Sequence, residues 1–271
     1  MVSNFREYLP SKELRNHIDC VWFESFTQQK DQIGNTHLVI PDNTIELIFT
    51  EHSFERSFGK QKIEVGSHLA GLKTTPQQIK VNGPALLAIR FKPEGLYPFI
   101  NEDTASLIDQ SVHPEIIFGK EIRYLQEQIA EEKSERARVR LVNKFLNDRL
   151  AASKKKADPY FELFLKRIQS SKGQVSLKEM SKEFSVSPKT IQRKFSEYVG
   201  ITPKKYSRLV RLIEAVKSFE QNPAQRFSLL AHQFGFTDQM HFIKEVKAFT
   251  GKTPTEYFNL NRGIQHAIFA Q

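Results

Sequence analysis

The spacing of apolar residues changes partway along the chain. Through residues 1–110 they fall in short runs: Cys20–Phe26, His37–Ile40, Thr44–Thr50, Ile63–Val65 and Ala85–Phe91. Between the runs lie Pro41-Asp42-Asn43, Gly66-Ser67, Asn82-Gly83-Pro84 and Lys92-Pro93-Glu94-Gly95, all turn-forming sequences. Short runs with such punctuation predict β-strands, and no helical segments alternate with them. A sandwich or barrel is therefore expected rather than an α/β sheet. From about residue 119 the period lengthens. Ile122, Leu125 and Ile129, then Val142, Phe145, Leu146 and Leu150, recur at helical spacing and predict a helical hairpin with one apolar stripe per helix. Such a stripe serves either as intramolecular core or as a dimer seam.

Ala151–Ala157, with Lys154-Lys155-Lys156, is short, polar and basic, and reads as a linker between domains of residues 1–153 and 154–271. Beyond it the helix signals are dense. Asp158-Pro159 is an N-cap followed by proline at the first helical position, where the missing N–H costs nothing. Phe161, Phe164, Leu165 and Ile168 line the helix that follows, which stops before Gly173. Ser176 with Glu179 forms a capping box that opens a short helix to Phe184, and Ser187-Pro188 opens another that ends at Gly200. Two short helices around a tight turn predict a helix-turn-helix over about 176–199.

The pattern returns about 227–250. Leu177, Met180, Ser181 and Phe184 match Phe227, Leu230, Ala231 and Phe234. One extra residue enters the second turn at Gly235-Phe236, after which Ile191, Phe195, Tyr198 and Gly200 match Phe242, Val246, Phe249 and Gly251. Gly200-Ile-Thr-Pro-Lys-Lys-Tyr206 and Gly251-Lys-Thr-Pro-Thr-Glu-Tyr257 close the two units alike. Caps, glycines and Thr-Pro at fixed offsets make duplication the better account than two unrelated hairpins. A connecting helix over about 203–220, with Leu209, Leu212, Ile213 and Val216 as its buried face, joins them. Its Pro203–Phe219 stretch spans roughly 26 Å at 1.5 Å per residue, enough to hold two recognition helices about one DNA turn apart.

Charge agrees with this division. The 271 residues carry a net +9, but residues 1–153 hold 19 Lys+Arg against 21 Asp+Glu, while residues 154–271 hold 21 against 10. The excess lies wholly in the C-terminal part, as expected of a surface that meets a polyanion. No apolar run approaches a membrane span, and Met1–His17 lacks the apolar block of a secretory signal. The single cysteine, Cys20, makes no internal disulfide and fits a reducing cytoplasm.

Residues 158–260 resemble the AraC/XylS family of bacterial transcriptional regulators. The resemblance is carried chiefly by Ala231-His-Gln-Phe-Gly-Phe-Thr-Asp-Gln-Met-His-Phe-Ile-Lys-Glu-Val-Lys247 and the Gly251–Tyr257 phrase. Val246 stands where the family usually has phenylalanine, which trims the core without changing the surface; Ser185 stands where a turn glycine is common and Ser181 where alanine is usual, so the first unit is expected to pack less tightly. The resemblance implies that Ser187–Val199 and Asp238–Phe249 are recognition helices. The residues left to reach base edges are then Pro188, Lys189, Gln192 and Arg193 in the first, and Gln239, Met240, His241 and Lys244 in the second. Gln suits adenine and Arg suits guanine through bidentate contacts. Lys204, Lys205, Arg208, Lys247 and Lys252 would position on phosphates; Arg211 would either join them or brace the connecting helix.

The first half resembles a domain of uncharacterised role found on some family members, through Tyr8-Leu-Pro-Ser11, Cys20-Val-Trp-Phe23, Val39-Ile-Pro-Asp42 and Ile89-Arg-Phe-Lys-Pro-Glu-Gly-Leu-Tyr97. It is similar to the cupin-like β-domains that bind small effectors in the wider family. Pocket candidates are Trp22, His37, Glu46, Arg90 and Tyr97, against the structural alternatives of Trp22 as core and Arg90 as partner to a carboxylate such as Glu46. His17, Cys20, His37, His52, His68 and His113 show no metal-ligand spacing, and no glycine-rich phosphate loop is present. Neither metal nor cofactor is expected.

The expectation is a two-domain cytoplasmic regulator without enzymatic activity. A mostly β, cupin-like barrel or sandwich with a trailing helical hairpin senses an effector or mediates homodimerisation. An all-α domain, two helix-turn-helix units joined by a long helix, binds double-stranded promoter DNA. By resemblance, activation runs through contact with RNA polymerase. The alternative is an enzymatic or purely interaction domain fused to a DNA-targeting module.

Overall fold

The computed structural model describes residues 4–25, 36–58, 61–81, 85–155 and 158–259. Ten strands among them form two antiparallel sheets. One holds β1 (Asn4–Tyr8), β2 (Ile18–Ser25), β9 (Ala85–Phe91), β4 (Ile45–Thr50), β7 (His68–Ala70) and β10 (Ser111–Val112), in that spatial order. The other runs β3 (Thr36–Val39), β8 (Gln77–Val81), β5 (Phe54–Phe58) and β6 (Gln61–Val65). Each predicted run proved to be a strand, within a residue or two at its ends; Phe26, the end of the first, lies outside the described residues. β8, Gln-Gln-Ile-Lys-Val, was not among the runs because its apolar residues Ile79 and Val81 alternate with polar ones and form no continuous stretch.

The six-stranded sheet is buried on both faces, which the period of two sorts cleanly. Val21, Phe23, Leu47, Phe49, Leu87 and Ile89 belong to the main apolar cluster. Their sequence neighbours Cys20, Trp22, Ile48 and Ala88 turn the other way and pack with Ile79 of the four-stranded sheet. Glu46 and Arg90 share that second face, directly opposite each other in register.

A short helix α1 (Pro114–Phe118) leads into the hairpin α2 (Glu121–Glu131) and α3 (Glu135–Ala152). Ile122, Leu125, Ile129, Val142 and Leu146 are buried within the chain and join the main cluster, so this stripe is intramolecular core and not a free dimer seam. The hairpin is fastened to the N-terminus as well, with Tyr8 donating to Glu135 at 2.9 Å.

The remaining helices are α4 (Pro159–Ser170), α5 (Leu177–Glu183), α6 (Pro188–Val199), α7 (Pro203–Gln221), α8 (Phe227–Gln233), α9 (Gln239–Thr250) and α10 (Pro254–Asn259). Lys156 and Ala157 of the expected linker lie outside the described residues. The start signals act as read. Asp158 accepts from Tyr160 and Phe161, Ser176 and Glu179 complete a reciprocal box, and Ser187, Thr202 and Asp238 each accept from the third residue onward. Gly200 and Gly251 end α6 and α9 with φ of 80° and 75°, the left-handed conformation that favours glycine. No helix among the described residues is long and apolar enough to cross a membrane.

Candidate nucleic-acid interface

Two helix pairs, α5–α6 and α8–α9, repeat one design. In each turn an amide donates back to the same point of the preceding helix: Val186 to Ser181 at 3.2 Å, and Phe236 to Ala231 at 2.8 Å. Ser181 and Ser185, expected to loosen the first unit, are accommodated. The Ser181 hydroxyl donates to Val186 O at 2.7 Å, closing the turn a second time. Ser185 adopts φ 52° where the second unit has Gly235 at 66°. Val246 is fully buried beside Phe242 and Phe249, so the smaller side chain still fills a core position.

The buried faces fix what α6 and α9 present outward. Ile191, Phe195 and Val199 are buried, leaving Pro188, Lys189, Gln192 and Arg193 exposed on α6. Phe242, Val246 and Phe249 anchor α9, leaving Gln239, Met240 and Lys244 exposed and His241 half-buried. Met240 is 60% exposed. Arg193 pairs with Glu197 one turn on, at 3.2 Å. His241 is held by its own turn: its backbone N–H donates to Asp238, and its Nδ1 accepts from Thr237 N at 3.2 Å.

Among the phosphate candidates, Lys204, Lys205 and Lys247 are exposed and Lys252 is half-buried. Arg208 engages Glu245 of α9. Arg211 donates to Gly235 O at 3.3 Å and lies over the Phe236 ring, bracing the second turn against α7; burial lowers its pKa. Of the two roles the sequence left open for Arg211, the brace is the one its contacts describe.

α7 is 19 residues long, roughly 28 Å at the helical rise, and ten of its residues are buried. It is the rigid spacer between the two units.

The N-terminal half grips the end of α6. Tyr97 packs on Tyr198 with the rings tilted by 38° and centroids 4.2 Å apart, and Tyr198 stacks in turn on Phe161 at 4.6 Å. Thr104 donates to the carbonyls of Ser196 and Glu197. Gly200 sits so close to Ala105 that a Cβ there would come within 2.8 Å of its backbone.

Of the other pocket candidates, Arg90 lines the same cavity as Tyr97, and Trp22 and Glu46 are bound to one another beside Arg90. Glu46 Oε1 accepts from Trp22 Nε1 at 3.1 Å and from Arg90 Nε at 3.4 Å, and Arg90 also faces Glu7 at 3.8 Å. Burial opposes ionisation of Glu46, yet Arg90, Lys73 and the Trp22 N–H together hold its carboxyl below the usual range. Trp22, Glu46 and Arg90 are therefore one mutually satisfied network between the sheets. Nearby His68 is kept neutral by burial, its pKa lowered to about 3. The His37 side chain lies outside the described residues. Cys20 is buried among apolar neighbours, which pushes its thiol up to about 12. Asp42 and Lys73, a buried pair at 3.4 Å, went unnoticed in the sequence because no periodicity links them.

Comparison with known proteins finds two separate matches, one in each half, with residues 114–179 between them. A family described as a helix-turn-helix domain matches residues 180–259, and a domain of unknown function (DUF6597) matches residues 6–113. The HTH-type transcriptional activator RhaS of Pectobacterium atrosepticum is 25% identical over 92 residues, which are 34% of this chain and 30% of that one. RhaS of Pectobacterium carotovorum subsp. carotovorum is 24% identical over 98 residues, 36% and 32% of the two chains. The match thus spans about a third of these relatives' length. Among solved structures, ToxT from Vibrio cholerae is similar over 93% of this chain and 97% of its own, with 10% identity and a TM-score of 0.48.

Proposed function

The C-terminal half of this chain is a helix-turn-helix domain of the AraC/XylS type, and on that premise we propose that the protein is a sequence-specific transcription regulator whose N-terminal half controls it. The observation that carries the reading is the pair of equivalent helices, α6 and α9, with polar exposed faces at the two ends of a rigid 19-residue α7. A spacer of that length suits insertion of both helices into successive major grooves, roughly 34 Å apart, on one face of double-stranded DNA. Gln192, Arg193 and Lys244 read bases; Lys204, Lys205 and Lys247 neutralise phosphates.

In this reading the protein works in the cytoplasm at promoters and carries out no catalytic step. Activation through RNA polymerase is the outcome favoured by the likeness to the two RhaS activators. Control by a small molecule is supported by the way the N-terminal half holds α6: a ligand that alters the fit at Tyr97 or Thr104 alters the presentation of the first recognition helix. Homodimerisation, if it occurs, uses a surface other than the α2–α3 stripe, which is buried.

Selection of bound sequences from a random DNA pool by the full chain tests the reading. The expected result is a site with two conserved elements about one helical turn apart. Absence of sequence preference at physiological salt overturns it.

A further inference from the structure

The Lys92-Pro93-Glu94-Gly95 turn has no part in DNA binding, yet it opens onto a cavity of about 560 Å³ between the two halves. The N-terminal wall carries Asp19, Asn43, Thr44 and Glu94; the opposite wall, from α4 and α7, carries Phe161, Leu165, Val210 and Ile213. The N-terminal wall is thus polar, and the opposite wall offers an apolar patch bordered by Glu162, Lys166, Gln169, Glu214 and Lys217 of the same helices.

The turn is held rigidly. Lys92 N donates to His17 O at 2.9 Å, Gly95 N donates to Lys92 O at 2.9 Å, and Tyr97 N donates to Glu94 O at 3.2 Å. Gly95 is packed so tightly that a Cβ would lie 1.8 Å from His17 O. The backbone therefore fixes the direction in which the Glu94 side chain leaves the turn.

Three side-chain atoms of the wall are buried without a hydrogen-bonding partner: Glu94 Oε2, Asn43 Oδ1 and Thr44 Oγ1. All three are oxygens. The amide nitrogen of Asn43 is already used, donating to Tyr206 Oη at 3.1 Å. Of the cations around the cavity, Lys73 pairs with Asp42, Lys194 with Asp158 and Arg90 with Glu46, while Lys155, Lys166 and Lys217 line it at other points. Lys92 faces Asp19 and Glu94 without forming an ion pair with either, and Glu162 adds a further negative charge beside Glu94. Burial raises both carboxyls, that of Glu94 to about 7. A buried carboxyl and two further buried oxygens, none with a partner, would be satisfied together by a cationic donor, which would also hold Glu94 ionised.

We propose that this cavity binds a small primary amine with an apolar body, its ammonium donating to Glu94 Oε2, Asn43 Oδ1 and Thr44 Oγ1 while the body lies against Phe161, Leu165 and Ile213. An ammonium has three N–H donors and no acceptor, which matches the three unpartnered oxygens. A carboxylate has no N–H to offer these three oxygens and would bring a further acceptor to a wall that already holds Glu94 and Asp19. Because the ligand touches both halves, it ties the β-domain to α4 and α7 and so tightens the grip on α6. The inference names the ligand class for the control proposed above and rests on that reading only for its regulatory consequence.

Calorimetric titration of the full chain without DNA tests it, so failure here is distinguishable from failure of DNA binding. The probes are 2-phenylethylamine and n-hexylamine, compared with 3-phenylpropionate and 2-phenylethanol. At least one amine is expected to bind, with the acid and the alcohol about tenfold weaker or worse. Glu94→Gln keeps the shape, removes the charge and is expected to weaken amine binding by about tenfold. Thr44→Val is expected to weaken it by about threefold, and decides the matter should Glu94→Gln fail to fold. Absence of binding by both amines at millimolar concentration, equal binding of the acid, or unchanged affinity in either folded variant overturns the proposal.

Discussion

Tyr97 donates a hydrogen bond of 2.8 Å to Glu197, and Glu197 accepts from Arg193 at 3.2 Å. The arginine proposed above to read bases, Arg193, is thus one carboxylate away from the N-terminal half. Glu197→Gln removes the charge that competes for the guanidinium. An exposed i,i+4 pair contributes about 0.3–0.5 kcal/mol, so DNA affinity should rise by about twofold. Tyr97→Phe should keep the packing on Tyr198 and cost about 1 kcal/mol of unfolding stability through the lost hydrogen bond. Fluorescence anisotropy and thermal denaturation read the two effects, and an unchanged result in both would detach Tyr97 from the recognition helix.

Base readers and phosphate binders should separate by salt dependence. Arg193→Ala is expected to lower specific affinity by roughly 1–3 kcal/mol and relax preference at one position. Lys204→Ala should weaken binding to all sequences alike and reduce the salt slope by about one. Titrations on a selected site and on scrambled DNA at several salt concentrations distinguish these. Equal losses on both DNAs for Arg193→Ala would remove it from the base-reading set.

Gly200 carries two constraints in one residue. Its φ of 80° is left-handed, and an added Cβ would come within 2.8 Å of the Ala105 backbone. Gly200→Ala should destabilise by more than the roughly 1 kcal/mol that the backbone conformation alone costs, since Ala105 must also yield. Gly251 has nearly the same φ, 75°, but its nearest neighbour is Pro76 Cγ at 3.5 Å, an ordinary contact. Gly251→Ala should therefore cost only the conformational part. Denaturant midpoints compare the two, and equal losses would show that the Ala105 contact contributes nothing.

Glu94 makes stability depend on pH in an unusual direction. Its carboxyl is raised from 4.5 to about 7 by burial, so between those values the folded chain holds a proton that the unfolded chain has lost. Stability from this group is full below the unfolded value and is lost as pH rises through the folded one. Glu94→Gln abolishes the effect, while Asp19, Lys92 and Glu162 remain in both proteins. The variant should gain on the parent as pH rises from about 5 to about 8 in urea denaturation. A difference independent of pH would contradict the shift.

Much of the DNA-binding half is written in local signals. Caps at Asp158, Ser176, Ser187 and Thr202, helix-ending glycines and a repeated apolar face each act within a few residues, so the sequence displays them without knowledge of the rest. The β half was legible as strands but less so as a site. Trp22, Glu46 and Arg90 share one face because residues 20 and 22, 46 and 48, and 88 and 90 alternate in step, a signal present in the sequence but usable only once the order β2-β9-β4 is known. Nothing local announces that Thr104 caps the carbonyls of Ser196 and Glu197, because that contact spans more than ninety residues. The Glu94 turn was visible as punctuation; its burial against α4 and α7 was not.

The seat that Thr104 and Ala105 provide for Gly200 also bears on module exchange. A hybrid that joins residues 154–271 to a foreign N-terminal domain would keep every residue that faces DNA and lose the surface that receives the end of α6. The natural border of the transferable unit is therefore not a single cut in the linker: the segment from Tyr97 to Leu107 must travel with the helices it holds.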